Sequence, residues 1–200
     1  ACGAAYSTVG TGTSGADESA CTVCAPGYTG TSAGGTSGCT VCPSSAPYTA
    51  AGNGQTCTAL NCNSLDSDGH VLVPAPVATI GSNAFKDCAN LWRVDFEPES
   101  SLVSIGDSAF QSCTSLGPLI VPSGVTSFGT SAFESCTSGS FNITFAPNSE
   151  LVTIAASAFK LVSLDAIDIP PTVEEIGASA FESTRLKMVI IPNSVTFIDS

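Results

Sequence analysis

Cysteine is the first residue type here whose spacing implies chemistry. The chain has ten in 200 residues. Seven lie before residue 63, at Cys2, Cys21, Cys24, Cys39, Cys42, Cys57 and Cys62. Cys21-Thr22-Val23-Cys24 and Cys39-Thr40-Val41-Cys42 are C-x-x-C pairs offset by 18 residues, and Cys57 follows 18 later. Two such pairs suit either a zinc ribbon or a run of disulfides. The evenly continuing ladder, with no flanking His or basic residue, weighs towards disulfides. No strand–helix pattern surrounds the pairs, which argues against a redox-active dithiol. A Cys-dense stretch poor in large apolar residues cannot build an ordinary core and is normally stapled covalently. That chemistry belongs to an oxidising compartment outside the cell.

The acidic groups come next. Asp66-Ser67-Asp68-Gly69 has the look of a calcium loop, but its twelfth position is Val77 rather than Glu, which excludes an EF-hand. A polar turn is the simpler reading, and Asp66 and Asp68 remain a weak calcium candidate. His70, the sole histidine, stands at the same turn without a Ser–Asp or second His to make it a base. Asp95 and Asp168 fall three repeats apart, too far for paired acid–base work. No cofactor site is expected. Asn142-Ile143-Thr144 is the only N-x-[ST] sequon, and Ser/Thr-rich stretches such as Thr11-Gly12-Thr13-Ser14 suit O-glycans on composition alone.

Charge removes other classes. Net charge is −12 with five Lys and Arg, too few cations to displace counterions from nucleic acid or to hold an anionic membrane. No apolar run reaches the roughly 18 residues needed to span a bilayer.

The elements that position these groups are set by repetition. Ile80-Gly81-Ser82-Asn83-Ala84-Phe85 returns at Ile105, Phe128, Ile154 and Ile176, and a sixth copy opens at Ile198. The steps run from 22 to 26 residues, the period of a solenoid whose turns bury their apolar sides against each other. Within one repeat, Leu164-Asp165-Ala166-Ile167-Asp168-Ile169 alternates as a half-buried strand does. Pro170-Pro171 ends the pairing. Val173-Glu174-Glu175-Ile176 turns apolar side chains inward, Gly177 permits a tight bend, and the stretch after Ala180-Phe181 suits a short helical turn. Counterpart strands are 91–96, 116–121, 141–145 and 186–191, with a capping strand at 71–74. The organisation is thus a Cys-rich, loop-rich arm over 1–62, a linker over 63–70 and a solenoid over 71–200. The chain lacks an initiator Met and a signal peptide and stops inside the sixth copy, so it reads as a piece of a longer, processed protein.

Two resemblances follow from these motifs. Leu-x-x-Ile-x-Ile-Pro followed by Val-x-x-Ile-Gly-x-x-Ala-Phe-x-x-Cys is similar to the BspA-like leucine-rich repeats over 71–200. Val162 and Thr184 replace the Cys, Ala155 the Gly and Ser140 the leading Leu, and the turns before Leu102 and Leu151 are longer. The resemblance implies a right-handed leucine-rich-repeat solenoid, one parallel strand plus a short helical turn per repeat, with the sheet on the concave side. It also implies a surface or secreted protein concerned with adhesion and protein–protein contact. The arm, with Cys24-Ala25-Pro26-Gly27-Tyr28 and Cys42-Pro43-Ser44-Ser45-Ala46-Pro47-Tyr48, resembles ephrin-receptor-like and tumour-necrosis-factor-receptor-like repeats. Carried over, that implies bonds Cys2–Cys21, Cys24–Cys39 and Cys42–Cys57.

Cys88, Cys113 and Cys136 share one repeat position and should stack. They are either buried thiols or, with adjacent turns about 5 Å apart, a Cys113–Cys136 bond. Parity then gives Cys62–Cys88 as a staple between arm and solenoid. The outward strand positions line the face that solenoids use for binding. They are Trp92, Arg93, Asp95, Pro118, Ile120, Asn142, Thr144, Asp165, Asp168, Lys187 and Ile190, with Trp92 either an exposed anchor beside Arg93 or packed under a long turn.

Three functions compete. The first is a non-catalytic extracellular or cell-surface module for adhesion, protein partners or filament assembly through the solenoid ends. The second is a carbohydrate-binding receptor module using Trp92 and the face aspartates. The third, a parallel β-helix enzyme acting on polysaccharides, needs clustered charges, and here they scatter.

Overall fold

The structure, a computed structural model, describes residues 60–199 together with four two-residue strands earlier in the chain. Two compact units divide at Leu60 and Asn61. In the first, β1 (Tyr6–Ser7) pairs antiparallel with β2 (Val23–Cys24), and β3 (Tyr28–Thr29) with β4 (Thr40–Val41). The bonds Cys2–Cys21, Cys24–Cys39 and Cys42–Cys57 and the segment 11–14 lie outside the described residues.

The second unit is a parallel β-solenoid. Each coil contributes one longer strand, whose members are β5 (His70–Val73), β7 (Arg93–Phe96), β9 (Leu119–Val121), β11 (Ile143–Phe145), β13 (Ala166–Asp168) and β15 (Met188–Ile190). Alternation explains them. Val71, Val94, Leu119, Ile143 and Ile167 are buried, and the residues on either side of each face outward.

A second strand of two residues follows in every coil. These are β6 (Thr79–Ile80), β8 (Ser104–Ile105), β10 (Ser127–Phe128), β12 (Thr153–Ile154), β14 (Glu175–Ile176) and β16 (Phe197–Ile198). They form one continuous six-stranded parallel sheet, with Ile80, Ile105, Phe128, Ile154 and Ile176 inside. The Gly that follows lets coils approach. A Cβ on Gly129 would lie 2.5 Å from the Asp107 nitrogen, and one on Gly177 2.5 Å from the Ala156 nitrogen. Neither glycine has positive φ. Close approach, not the expected tight bend, is therefore the reason for Gly here. Ala155 and Asp199, which replace it in two coils, donate to the Phe128 and Ile176 carbonyls at 3.2 and 3.0 Å, where Gly129 and Gly177 reach their own at 2.8 Å.

The expected helical turn after Ala-Phe is not formed. A helix needs consecutive amides bonded four residues back. Here a residue with left-handed backbone recurs every fourth position, at Asn83 and Asp87, Ser108 and Ser112, Ser131 and Ser135. Alternate amides therefore part company. Ala84, Lys86 and Cys88 donate three residues back within their own coil, at 3.1–3.2 Å. Asn83, Phe85 and Asp87 donate to the next coil, to the carbonyls of Asp107, Ala109 and Gln111, at 2.7–2.8 Å. The result is a stack of β-turns laddered from coil to coil. Asn, Asp and Ser suit these positions because short polar side chains tolerate them. Leu161, with φ 58°, is the exception.

Inside this stack Phe85, Phe110, Phe133, Phe159 and Phe181 lie ring over ring, with centroids 5.3–5.4 Å apart and nearly parallel planes. Each offset pair adds about 0.5–1.5 kcal/mol to the burial of the rings.

Of the two bonds expected for the solenoid cysteines, one is formed and one is not. Cys62 and Cys88 are bonded, with Cα atoms 5.6 Å apart. Both belong to the second unit, so the bond ties the solenoid's opening 3-10 turn (Cys62–Ser64) to its first coil. Closing a loop of this length stabilises by roughly 3 kcal/mol on the chain-entropy account. Cys113 and Cys136 stack as expected but remain thiols, not a disulfide. Each Sγ donates to the Phe carbonyl of the preceding coil, Phe85 at 3.0 Å and Phe110 at 3.2 Å, which directs the two sulfurs to separate partners.

Candidate functional site

The outward residues of the longer strands make two columns across the coils. Register places His70 beside Arg93, Asn142 following Pro118, and Ala166 beside Met188 in one column. The other runs Leu72, Asp95, Ile120, Thr144, Asp168, Ile190. The face carries large apolar groups in the open. Trp92 is 46 % exposed, Ile120 65 % and Ile190 70 %. Trp92 is thus partly open and also packed, its ring close to Gly69 and its backbone N–H on the Gly69 carbonyl at 2.9 Å. Gly69 has φ +77°, and a Cβ there would collide with the Asn90 carbonyl, so only glycine seats this turn against the coil.

Charge gathers at the first two coils. Arg93 Nε donates to Asp95 Oδ2 at 2.7 Å. The same oxygen lies 3.1 Å from His70 Nε2, while His70 Nδ1 lies 3.2 Å from Asp66 Oδ2. Asp66 Oδ1 accepts the backbone N–H groups of Asp68 and His70, each at 2.9 Å. The His70 N–H above all, helped by the Asp68 N–H and the His70 ring, holds the Asp66 carboxyl below its ordinary range against burial, which opposes it and is second in size only to the His70 N–H. The Asp66–Gly69 segment is therefore a side-chain-bonded turn. Among the described residues no group of three His, Cys, Asp or Glu side chains is placed to hold a metal ion. Asp165 and Lys187 pair at 3.4 Å one position ahead of the face strands, both well exposed. Asn142 and Thr144 are exposed on the same face.

This face is not one sheet. β5 pairs with β7, β9 with β11 and β13 with β15, but β7 and β9 share no ladder, nor do β11 and β13. Both seams follow a coil with a long turn. From Phe96 to Ile105, and from Phe145 to Ile154, the chain uses two residues more than from Val121 to Phe128. The two long turns fold alike. Glu99 and Asn148 take left-handed φ of 59° each. Ser101 donates to the Ala75 carbonyl at 2.7 Å, and Glu150 to that of Ser123 at 2.8 Å. Each long turn overhangs the next coil and walls a groove. The first, about 890 Å³, has Trp92, Arg93, Asp95, Glu97 and Glu99 facing Pro118, Ile120 and Pro122. The second, about 730 Å³, sets Asn142, Thr144 and Asn148 against Asp168, Pro170 and Pro171. Alternation in the strands found the outward residues. It missed Glu97, Glu99 and Asn148, for which turn length was the only signal, and it missed Pro122 and the His70 contacts as well.

No helix among the described residues is long and apolar enough to cross a membrane. Comparison with curated proteins gives no match. Among solved structures, the pneumococcal vaccine antigen PcpA is 26 % identical with a TM-score of 0.58, over 63 % of this chain and 31 % of that one. A leucine-rich repeat protein from Eubacterium ventriosum is 24 % identical with a TM-score of 0.54, over 67 % of this chain and 36 % of its own length. The chain thus spans about a third of the length of these structures. The BspA type leucine rich repeat region matches residues 61–200 in six copies, and it is to this family that the chain belongs.

Proposed function

We propose that the protein is a non-catalytic interaction module working outside the cell or on its surface, and that the long-strand face is where it meets protein partners. The observation that carries this is the face itself. Trp92, nearly half exposed, and Ile120, about two-thirds exposed, stand beside a groove, a placement that suits a hot spot rather than a core residue. The Cys62–Cys88 bond supports an oxidising location. Likeness to a pneumococcal vaccine antigen supports a surface role. Adhesion, and assembly of an extracellular structure through the solenoid ends, are the finer forms of this reading. A glycan on Asn142 would shield the second groove.

The test is face-specific retention. The immobilised full chain is compared with Ile120→Glu on the grooved face and Ser127→Glu on the continuous sheet, against surface proteins of the source cell. Named proteins retained by the wild type should be lost with the first change and kept with the second. Equal retention by all three would overturn the reading. A second reading, a carbohydrate-binding module, is favoured by Trp92 beside Asp95. A glycan array run with and without calcium separates it, with binding lost on Trp92→Ala. Released products from acidic polysaccharides would instead make the chain an enzyme.

A further inference from the structure

We propose that the two grooves are tandem subsites for one ligand, a proline-rich basic segment of a partner protein in polyproline II conformation, lying along the solenoid axis. This rests on the reading of the long-strand face as the interaction surface.

The grooves are copies of one device. Each lies between a coil with a long turn and the coil after it, at a seam where the strand ladder is interrupted. Their lips correspond residue for residue. Glu99 and Asn148 share a left-handed backbone, and Leu102 and Leu151 both donate to a serine two residues back at 3.4 Å. Two equivalent sites on one face call for a ligand that repeats at their spacing. Coils in a parallel stack lie about 4.8 Å apart, so grooves two coils apart repeat at about 10 Å. A polyproline II chain rises about 3.1 Å per residue with three residues per turn, so every third side chain projects the same way about 9.3 Å on.

Lining and charge give the chemistry. In the first groove Trp92 faces Pro118, Ile120 and Pro122, an apolar wall of the kind on which proline rings pack. Three carboxylates, Asp95, Glu97 and Glu99, line it against one guanidinium, Arg93. Asp95 is engaged by Arg93 and His70, and Glu97 accepts the Ala75 N–H at 3.0 Å, which leaves Glu99 at the lip to meet a cation. The second groove has Asp168 and no basic residue in its lining. A net charge of −12 draws a basic segment in and repels an acidic one.

Trp92 is the chain's only tryptophan, so its fluorescence reports the first groove directly. The full chain is titrated with Ac-(Pro-Pro-Arg)4-NH2, with (Pro-Arg)6, which carries more charge at the wrong spacing, with (Pro-Pro-Glu)4 and with cellohexaose. The first peptide should shift Trp92 emission saturably and bind at least fivefold more tightly than (Pro-Arg)6, with no response to the other two. Glu99→Lys should weaken it about tenfold. Asp168→Lys should weaken the four-unit peptide about threefold and leave a single Pro-Pro-Arg unit unchanged. Equal or tighter binding of (Pro-Arg)6, or saturable binding of cellohexaose in place of the peptides, overturns the proposal. If every peptide fails while Ile120-dependent retention of surface proteins persists, the ligand assignment is wrong and the interaction face stands. If that retention is absent too, both fall.

Discussion

The two sheets of the solenoid are built from the same coils, yet one is continuous and the other is cut into three pairs. The difference follows chain length. From Ile80 to Cys88, and in the four copies from Ile105 to Thr184, the segment entering the turn stack keeps nine residues. The sheet that opens this segment never loses register. The long strands are flanked by turns that vary, and there the ladder breaks after each long one. Constant length preserves a ladder, and variable length opens one and leaves a groove.

Substitutions can weigh that contrast. Phe133, fully buried between Phe110 and Phe159, belongs to the constant segment. Phe133→Ala should cost about 3–5 kcal/mol in urea unfolding, whereas Ile120→Ala on the divided face should stay within about 0.5 kcal/mol. Equal losses would end the comparison. Gly129→Ala, forced against the Asp107 nitrogen, should cost about 1–3 kcal/mol. Gly139, with open space around its missing Cβ, should accept Ala with almost no change. Leu161→Asn should raise stability by about 1 kcal/mol, because Leu161 alone holds a large side chain at left-handed φ in the turn stack.

A smaller effect in free energy tests the seam itself. Deleting Glu99 and Ser100 gives the long turn the length of its short neighbours. The β7–β9 ladder should then close, and hydrogen exchange should show new protection at the Ile120 amide. Least of all is the turn at Asp66. Its carboxyl is held below the ordinary 3.8 by backbone N–H groups, so its folded form favours the anion. That stabilisation is present above the unfolded value and lost as pH falls through the folded one. The urea midpoints of wild type and Asp66→Ala should differ at pH 6 and converge below about pH 3.8.

Period-2 alternation made the long strands and their outward residues legible, Trp92, Ile120, Thr144 and Asp168 among them. The second sheet was hidden because two residues, such as Thr79–Ile80, are too short to show a period. Ala84-Phe85 fits a helical turn as well as a laddered one, since the deciding bonds run to Asp107 and Ala109 in another coil. The cue lay in Ser, Asn and Asp four residues apart, which short polar side chains share with helix caps. The long turns before Leu102 and Leu151 were visible as lengths. That they would break one sheet and not the other depends on which bonds the extra residues make.

The buried thiols bear on how the chain is made. Burial pushes the Cys113 thiol up to about 12 and Cys136 well above its usual range. Once the coils are stacked, neither becomes a thiolate able to attack the Cys62–Cys88 bond. Before stacking, the four sulfurs of the second unit are all open to pairing, and only one pairing among them matches the finished solenoid. The order of events in oxidative folding is thereby constrained: coils that close early hide their own cysteines from error and leave Cys88 as the remaining solenoid partner for Cys62. A stack of phenylalanines and paired turns acts, in that sense, as its own oxidative proofreader.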